Sequence, residues 1–257
     1  MKAFEIMEDV IGKEFLANMG FTVDTHKAGD ENREVTKIGV CMTATPDVLK
    51  AAKEWGAELL ITHEPTFYNH LDAHDDSPLC KMKEKLVEES GLVIYRYHDS
   101  THFRASDKIG EGLIRKMGWE GEFDGDMGFV MKEARNPVEM ARELAEKTGV
   151  KYPRIVGARD GMVTKVKLSL GARGGDPYLS LRDDEYEVAV CGELCEWSDC
   201  EPIRDLAQMG YQKTIIILGH VGSERDGMEY FAEEINGKYD GAEAKYFECG
   251  EIYTYAD

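Results

Sequence analysis

Short apolar runs alternate along this chain with longer segments in which apolar and polar positions are mixed. Apolar runs of four to eight residues bounded by turn residues are typical of buried strands. Six runs are predicted strands: 36–42 (TKIGVCM), 58–62 (ELLIT), 92–97 (LVIYRY), 163–170 (VTKVKLSL), 187–191 (EVAVC) and 214–218 (TIIIL). The segments between them are long enough for helices, and this alternation predicts βαβ units and an α/β fold.

Proline and glycine positions predict where several helices begin and end. Pro46, Pro78 and Pro137 each follow a Thr, Ser or Asn, and proline suits the first helical position because its missing N–H has no partner there anyway. The first of these helices is expected to run to about Trp55. Gly149 is a predicted C-cap for the helix that begins at Pro137. The first fifteen residues have the pattern of an amphipathic helix.

A glycine- and acid-rich segment, 118–128 (GWEGEFDGDMG), interrupts the alternation. A new series of strands and helices follows it. We therefore expect two α/β lobes with mixed or mostly parallel sheets. The first is residues 1–124 together with 210–257 and carries the candidate metal ligands; the second is residues 125–209.

The formal net charge of −19 bears on the class of partner. A chain this acidic, without a clustered Lys/Arg stripe, is repelled by phosphate backbones, so nonspecific nucleic-acid binding is not expected. A small anionic substrate stays compatible, because bound metal ions reverse the sign of the field in one cleft. The acidic N-terminus differs from a signal peptide and no run is long enough to cross a membrane, so we expect a cytoplasmic protein with reduced thiols.

Titratable side chains gather where two of the predicted strands end, the place at which α/β sheets bind ligands. His63 and Glu64 follow strand 58–62. Neighbours on a regular strand point to opposite faces, so these two share a site only if the chain turns, which the following proline allows. After strand 92–97 the chain continues with His98, Asp99 and, three residues on, His102.

The third such segment is 219–226 (GHVGSERD), directly after the last strand. Ser223 has the sequence context of an N-cap, with Asp226 as its capping-box partner. Glu224 would then lie one turn after His220, and its charge would complement the helix dipole whether or not it binds a metal. The run 70–76 (HLDAHDD) has ligand types too, but it follows no strand and is predicted to be a solvated loop.

Four of the seven histidines fall in these three segments, beside carboxylates. Imidazole and carboxylate together form a mixed nitrogen and oxygen ligand set. Such a set accepts zinc, manganese, iron or nickel, and geometry and supply select among them. The sequence therefore predicts a divalent-metal site without identifying the metal.

The chain also resembles the Nif-three-like family, which is known as the GTP cyclohydrolase I type 2 homologues. The resemblance lies in six segments: 32–40 (NREVTKIGV), 44–46 (ATP), 56–65 (GAELLITHEP), 171–175 (GARGG), 190–193 (VCGE) and 219–225 (GHVGSER). It spans most of the chain. It implies a two-domain α/β subunit, a toroidal homohexamer and a dinuclear metal centre, and it leaves the physiological substrate open.

The sequence departs from the family pattern at two positions. The family usually has T-H-H-P where this chain has Glu64 in the second histidine position, and its A-H-T-x-x-D segment ends where this chain has His102. One His has become a carboxylate and one carboxylate a His. The implied ligands of two divalent ions per subunit are therefore His63, Glu64, His102, His220 and Glu224. Asp99 is the alternative to His102, or a sixth ligand.

These features predict a dinuclear-metal-dependent hydrolase of a small molecule, such as a nucleotide or another phosphorylated or heterocyclic compound. His98 and Asp99 are the candidates for general base or acid. Glu193 is expected either to line the site or to cap a helix, and Arg173 to hold an anion. The alternative is a non-catalytic metal-binding or regulatory ring protein.

Overall fold

A computed structural model describes residues 1–18, 21–103, 107–125, 127–183 and 185–256. Its helices are α1 (Ala3–Ile11), α2 (Lys13–Asn18), α3 (Pro46–Trp55), α4 (Pro78–Ser90), α5 (Asp99–His102), α6 (Lys108–Met117), α7 (Pro137–Thr148), α8 (Asp176–Arg182), α9 (Glu201–Gln208) and α10 (His220–Ile235), with a π-helical turn over Glu196–Cys200. Its strands are β1 (His26–Ala28), β2 (Lys37–Cys41), β3 (Leu59–Thr62), β4 (Val93–Arg96), β5 (Gly121–Phe123), β6 (Gly128–Arg135), β7 (Arg154–Gly157), β8 (Val163–Ser169), β9 (Val188–Cys191), β10 (Thr214–Ile217) and β11 (Glu243–Tyr246).

The chain divides into two compact units. The first unit is residues 1–108 with 228–250, and the second is residues 109–227 with 251–257. The units therefore change over at 108/109, 227/228 and 250/251, whereas the lobes predicted from the sequence change over at 124/125 and 209/210. Within the described ranges, no helix combines the length and the apolar character that a membrane span requires.

The sheet of the first unit has the order β1-β4-β3-β2-β11 among the described residues. Its last four strands in this order are parallel, and β1 is antiparallel to β4 at one edge. The three inner strands are buried almost throughout. Pairing of Cys41 with Thr62, and of Thr62 with Arg96, brings the carboxyl ends of β2, β3 and β4 side by side.

The sheet of the second unit has the order β5-β6-β8-β9-β10-β7 in the part of the chain that is described. Strands β8, β9 and β10 are parallel, whereas β5, β6 and β7 pair antiparallel with their neighbours. Cys191 pairs with both Ser169 and Ile217, so the three parallel strands end together. Both units thus present a row of parallel strand ends.

The α/β fold and the six predicted strands are confirmed, with strand ends shifted by at most one residue. The helix starts at Pro46, Pro78 and Pro137 are also confirmed, and the side chain before each proline accepts a hydrogen bond from a backbone N–H of the first turn. Gly149 ends α7 with left-handed backbone. The amphipathic N-terminal helix is α1, and most of its apolar side chains are buried.

Candidate metal centre

His63 lies at the point where the chain leaves β3. Its backbone N–H donates to the carbonyl oxygens of Cys41 and Met42, both at 3.1 Å, and its side chain is fully buried. The ring Nδ1 lies 3.0 Å from the carbonyl oxygen of Tyr97. A carbonyl only accepts, so Nδ1 carries the proton and Nε2 keeps its lone pair. This is the arrangement in which a histidine is ready to bind a metal ion.

Arg96, at the end of β4, explains how His63 and Glu64 reach one site. Its side chain is 1% exposed; Nε donates to the carbonyl oxygen of His63 at 3.0 Å, and Nη1 donates to that of His70 at 2.6 Å. Nη2 lies 3.9 Å from a carboxylate oxygen of Glu64. One guanidinium therefore holds both the turn and the carboxylate that follows it, and no regular strand geometry is needed there.

His102 ends the short helix α5 and has a carboxylate partner. Its Nδ1 lies 2.8 Å from Oδ2 of Asp107, whose side chain is almost fully buried. As with His63, the partner fixes the proton on Nδ1 and leaves the lone pair on Nε2. The Nε2 atoms of His63 and His102 then lie 3.3 Å apart.

This close approach tests whether the site suits a metal ion. Two lone pairs that face one another repel, unless a proton or a cation lies between them. The ligand atoms of His63, His98 and His102 all lie within 4.8 Å of one another, and those of His63 and Glu64 do too. The His63 and His102 imidazoles and the Glu64 carboxylate form a mixed nitrogen and oxygen set that suits a divalent transition metal, and the His98 ring lies beside them. The residues of the first unit therefore fit a metal ion.

His98 and Asp99 form a pair beside this cluster. The His98 ring stacks on His63 with centroids 4.8 Å apart, and its Nδ1 lies 3.0 Å from Oδ1 of Asp99. Burial, with repulsion from His63 and His102, lowers the pKa of His98 to about 4. At neutral pH the ring is therefore uncharged, and the bond to Asp99 leaves Nε2 as an acceptor.

Asp99 is turned toward a neighbouring segment as well as toward His98. Its Oδ2 accepts hydrogen bonds from the Val23 N–H and the Thr22 hydroxyl, both at 3.0 Å. Burial raises the pKa of Asp99, but these bonds and the His98 ring outweigh it and hold the pKa below its usual value. The carboxylate is thus well placed to orient His98.

A buried aspartate that the sequence analysis missed holds the start of α5. Oδ1 of Asp24 accepts the backbone N–H groups of His98 and Asp99, at 2.7 and 2.8 Å, and Oδ2 accepts that of Ser100. The first N–H groups of a helix need such acceptors. Because Asp24 is far away in sequence, no local capping signal indicated it.

The candidate ligands of the second unit, His220 and Glu224, lie at the start of α10. Nδ1 of His220 lies 2.8 Å from a carboxylate oxygen of Glu193, and Nε2 lies 3.2 Å from one of Glu224. The side chain of Glu224 is 3% exposed. Glu193 plays for His220 the part that Asp107 plays for His102. Of its two expected roles, the structure places it against the candidate ligand.

The prediction that Ser223 is an N-cap is wrong, because α10 already begins at His220. Ser223 lies inside the first turn, where its hydroxyl donates to the carbonyl oxygen of His220 and accepts the N–H of Gly171. Asp226 is likewise no capping-box partner; it is buried and lies 3.4 Å from the Lys116 ammonium. The helix starts earlier than expected because Gly219 adopts left-handed backbone directly before it.

The glycine-rich turn after β8 packs against Glu224. Gly171 has a φ of +69°, and a Cβ there would collide with the Glu224 carboxylate. The carbonyl oxygen of Gly171 accepts the N–H of Glu193 at 2.6 Å. The turn thus positions both carboxylates that flank His220. Arg173, on the same turn, is half-buried.

The solvated-loop prediction for residues 70–76 is wrong for one residue. His70, His74 and the last two aspartates are exposed as expected. Asp72 is buried instead: it accepts the N–H of Phe67 at 2.8 Å and lies 3.3 Å from the ammonium of Lys27. The burial follows from this ion pair with a distant strand, which the loop sequence does not show.

A sequence model of the Duf34/NIF3 family (NGG1p interacting factor 3) matches residues 3–250 of this chain. The chain is 24% identical over 249 residues to a Clostridium perfringens protein named GTP cyclohydrolase 1 type 2 homolog, a match that covers 91% of this chain and 90% of the relative. The family resemblance seen in the motifs is thereby confirmed.

Solved structures agree on the fold. The protein ybgI, described as of unknown function, matches with a TM-score of 0.77 at 17% identity, over 98% of this chain and all of that one. Reduced HcgD from Methanocaldococcus jannaschii matches with a TM-score of 0.70 at 19% identity, over 98% of each chain. At these identities the likeness extends to the fold alone.

Proposed function

This chain belongs to the Duf34/NIF3 family, and on that premise we propose that it is a dinuclear-metal-dependent hydrolase of a small anionic molecule. Nucleotides are the first substrate class to test, since a curated relative is named as a GTP cyclohydrolase homologue. The observation that supports the proposal most directly is the 3.3 Å approach of the His63 and His102 Nε2 atoms, each with its other ring nitrogen already bonded.

The proposed ligands of two divalent ions per subunit are His63, Glu64, His102, His220 and Glu224. They are supported by the motifs at 63–64 and 219–225 and by the side-chain arrangement within each unit. Three histidines of this set share one feature: a carbonyl or carboxylate partner on Nδ1. When bound, two divalent ions lower the pKa of water and stabilise the negative charge that develops during hydrolysis.

The proton-transfer role belongs, in this proposal, to His98. Its pKa of about 4 makes the ring neutral at pH 7, so that Nε2 accepts a proton before it donates one. Asp99 fixes the orientation of the ring through Nδ1. The Val23 N–H and the Thr22 hydroxyl donate to Asp99 and fix its position. The orientation of the His98 ring is therefore set before a substrate binds.

Turnover by metal-loaded protein decides between hydrolysis and its alternative. Wild type should hydrolyse at least one of GTP, a phosphodiester and a cyclic amide well above a His220→Ala variant, while His74→Ala should keep the wild-type rate. His74 is the matched control because its ring is half-exposed and bonded to Glu84. Wild type that binds two ions yet turns over none of these compounds would favour the non-catalytic metal-binding protein. A homohexamer is part of the proposal and is checked by light scattering.

A further inference from the structure

The segment 251–255 of the second unit lies against the turn that carries His220. Residues 251–253 and residues 218–222 line the same small cavity, of about 20 Å³. A space of this size holds about one water molecule, so the segment sits close to the turn. Within this unit, residues 251–253 are therefore neighbours of the turn that carries His220.

Besides Glu251 and Thr254, the segment carries one isoleucine and two tyrosines, all of them exposed. Ile252 is 72% exposed and Tyr253 is 65% exposed. The Tyr253 ring lines the same cavity as His220, and because it is exposed it offers little stabilisation to the fold. Its free face is available to a planar partner.

The segment also has a fixed position. The Tyr255 ring packs edge-on against Tyr152, with centroids 4.6 Å apart and planes at 81°. The ammonium of Lys151 lies 5.1 Å from the centroid of Tyr152 and 5.4 Å from that of Tyr255. Tyr253 thus lies between two contacts, the cavity at the His220 turn and this aromatic pair, and Lys151 brings a positive charge to the neighbourhood.

We infer that Tyr253 is a specificity-determining residue, whose exposed ring stacks on the planar heterocycle of a nucleotide-like substrate beside His220. The inference rests on the proposed function and adds to it the part of the substrate that is recognised. The anionic group of such a substrate would bind at the proposed metal ligands. Its base would stack on the Tyr253 ring, and stacking tolerates any base because every base has a π-face.

The affinities for two probes distinguish recognition of the base from recognition of the anionic chain. GTP and inorganic triphosphate share the anionic chain, and only GTP has a base. Wild type, measured by calorimetry with its metals loaded, should bind GTP roughly tenfold more tightly than triphosphate, within the range expected for one base–aromatic stack. Tyr253→Ala should bring the two affinities together, and Tyr253→Phe should keep them apart.

The matched control is Tyr211→Ala, which removes a ring that is 56% exposed elsewhere in the second unit. It should leave the tenfold preference intact, and thermal unfolding should be unchanged in all three variants. Wild type that binds both probes equally, or Tyr253→Ala that keeps the preference, would overturn the stacking role and leave the proposed function standing. Wild type that binds neither probe would overturn the nucleotide-like substrate class itself.

Discussion

Arg96 donates from Nε to the main-chain carbonyl oxygen of His63 at 3.0 Å, from a side chain that is 1% exposed. The same guanidinium reaches the carbonyl oxygen of His70 and approaches the Glu64 carboxylate. The geometry of the His63–Glu64 turn therefore depends on a residue of the neighbouring strand. Arg96 therefore positions the site without being one of the proposed ligands.

Arg96→Met should destabilise the protein by about 3 kcal/mol, because it leaves the buried carbonyl group of His63 and the part-buried one of His70 without their donor and removes the cation beside Glu64. Urea denaturation measures the change. Arg33→Met is the matched control, since Arg33 also donates to a carbonyl oxygen, that of Gly91, but from an exposed side chain. The control should cost less than about 1 kcal/mol. Equal losses in the two variants would contradict the role given to Arg96.

The metal ligands are tested by metal content. His63→Ala and His220→Ala should each lower the number of ions bound per subunit while circular dichroism stays close to wild type, because packed strands and helices hold each unit together without the ion. Elemental analysis of the purified proteins gives the stoichiometry. His74→Ala should change nothing. Wild-type stoichiometry in both site variants would show that the ions bind elsewhere.

Much of the fold could be predicted from the sequence because strong local signals mark its inner elements. Buried strands such as β3 are uninterrupted apolar runs, and helices such as α3 begin at a proline behind a capping side chain. The edge strands β1 and β5 are three residues long and carry no such run. Their pairing depends on a distant partner strand, and a local pattern does not show that partner.

The candidate site divides in the same way. His63 and His220 were indicated by their places at strand ends, and His102 was chosen from its segment through the family resemblance. Asp107 fixes the ring of His102, and Arg96 fixes the turn at His63. Both were missed because nothing in the local sequence shows that their side chains reach a histidine. The Ser223 error has a similar origin: the capping pattern was present, but the left-handed backbone at Gly219 started the helix earlier.

The two exchanged positions should be coupled. Glu64→His and His102→Asp should each weaken metal binding, and the double variant should bind better than the sum of the single losses predicts, with a coupling of about 1 kcal/mol. The reason is that the pair conserves the ligand types of the first unit while exchanging their places. Competition with a chelator measures the metal affinity of wild type, the two single variants and the double variant. Strictly additive losses would show that Glu64 and His102 do not compensate one another.

Asp107 should tune metal affinity without binding the ion. Asp107→Asn keeps the shape of the side chain but weakens the acceptor that holds the Nδ1 proton of His102, so affinity should fall by about 10- to 100-fold. Competition with a chelator measures this. Asp75→Asn is the control, an exposed aspartate that accepts the N–H of Ser77. An unchanged affinity in Asp107→Asn would show that Asp107 has no part in metal binding.

Gly171 provides the sharpest test of the second unit. Gly171→Ala should lower metal content and stability together, because its Cβ would collide with the Glu224 carboxylate and displace it. Gly174→Ala is the matched control: Gly174 has a φ of +61° against +69° at Gly171, yet a Cβ there meets no atom within 4 Å.

Both variants therefore bear the cost of left-handed backbone, about 1–2 kcal/mol for a residue with a Cβ, and only Gly171→Ala adds the collision. Elemental analysis and urea denaturation of the two proteins separate the backbone cost from the effect of the collision. Gly174→Ala should lose stability but keep its metal. Equal metal content in the two variants would show that Glu224 does not depend on this turn for its position. Gly171 would then be required only for the left-handed backbone of the turn.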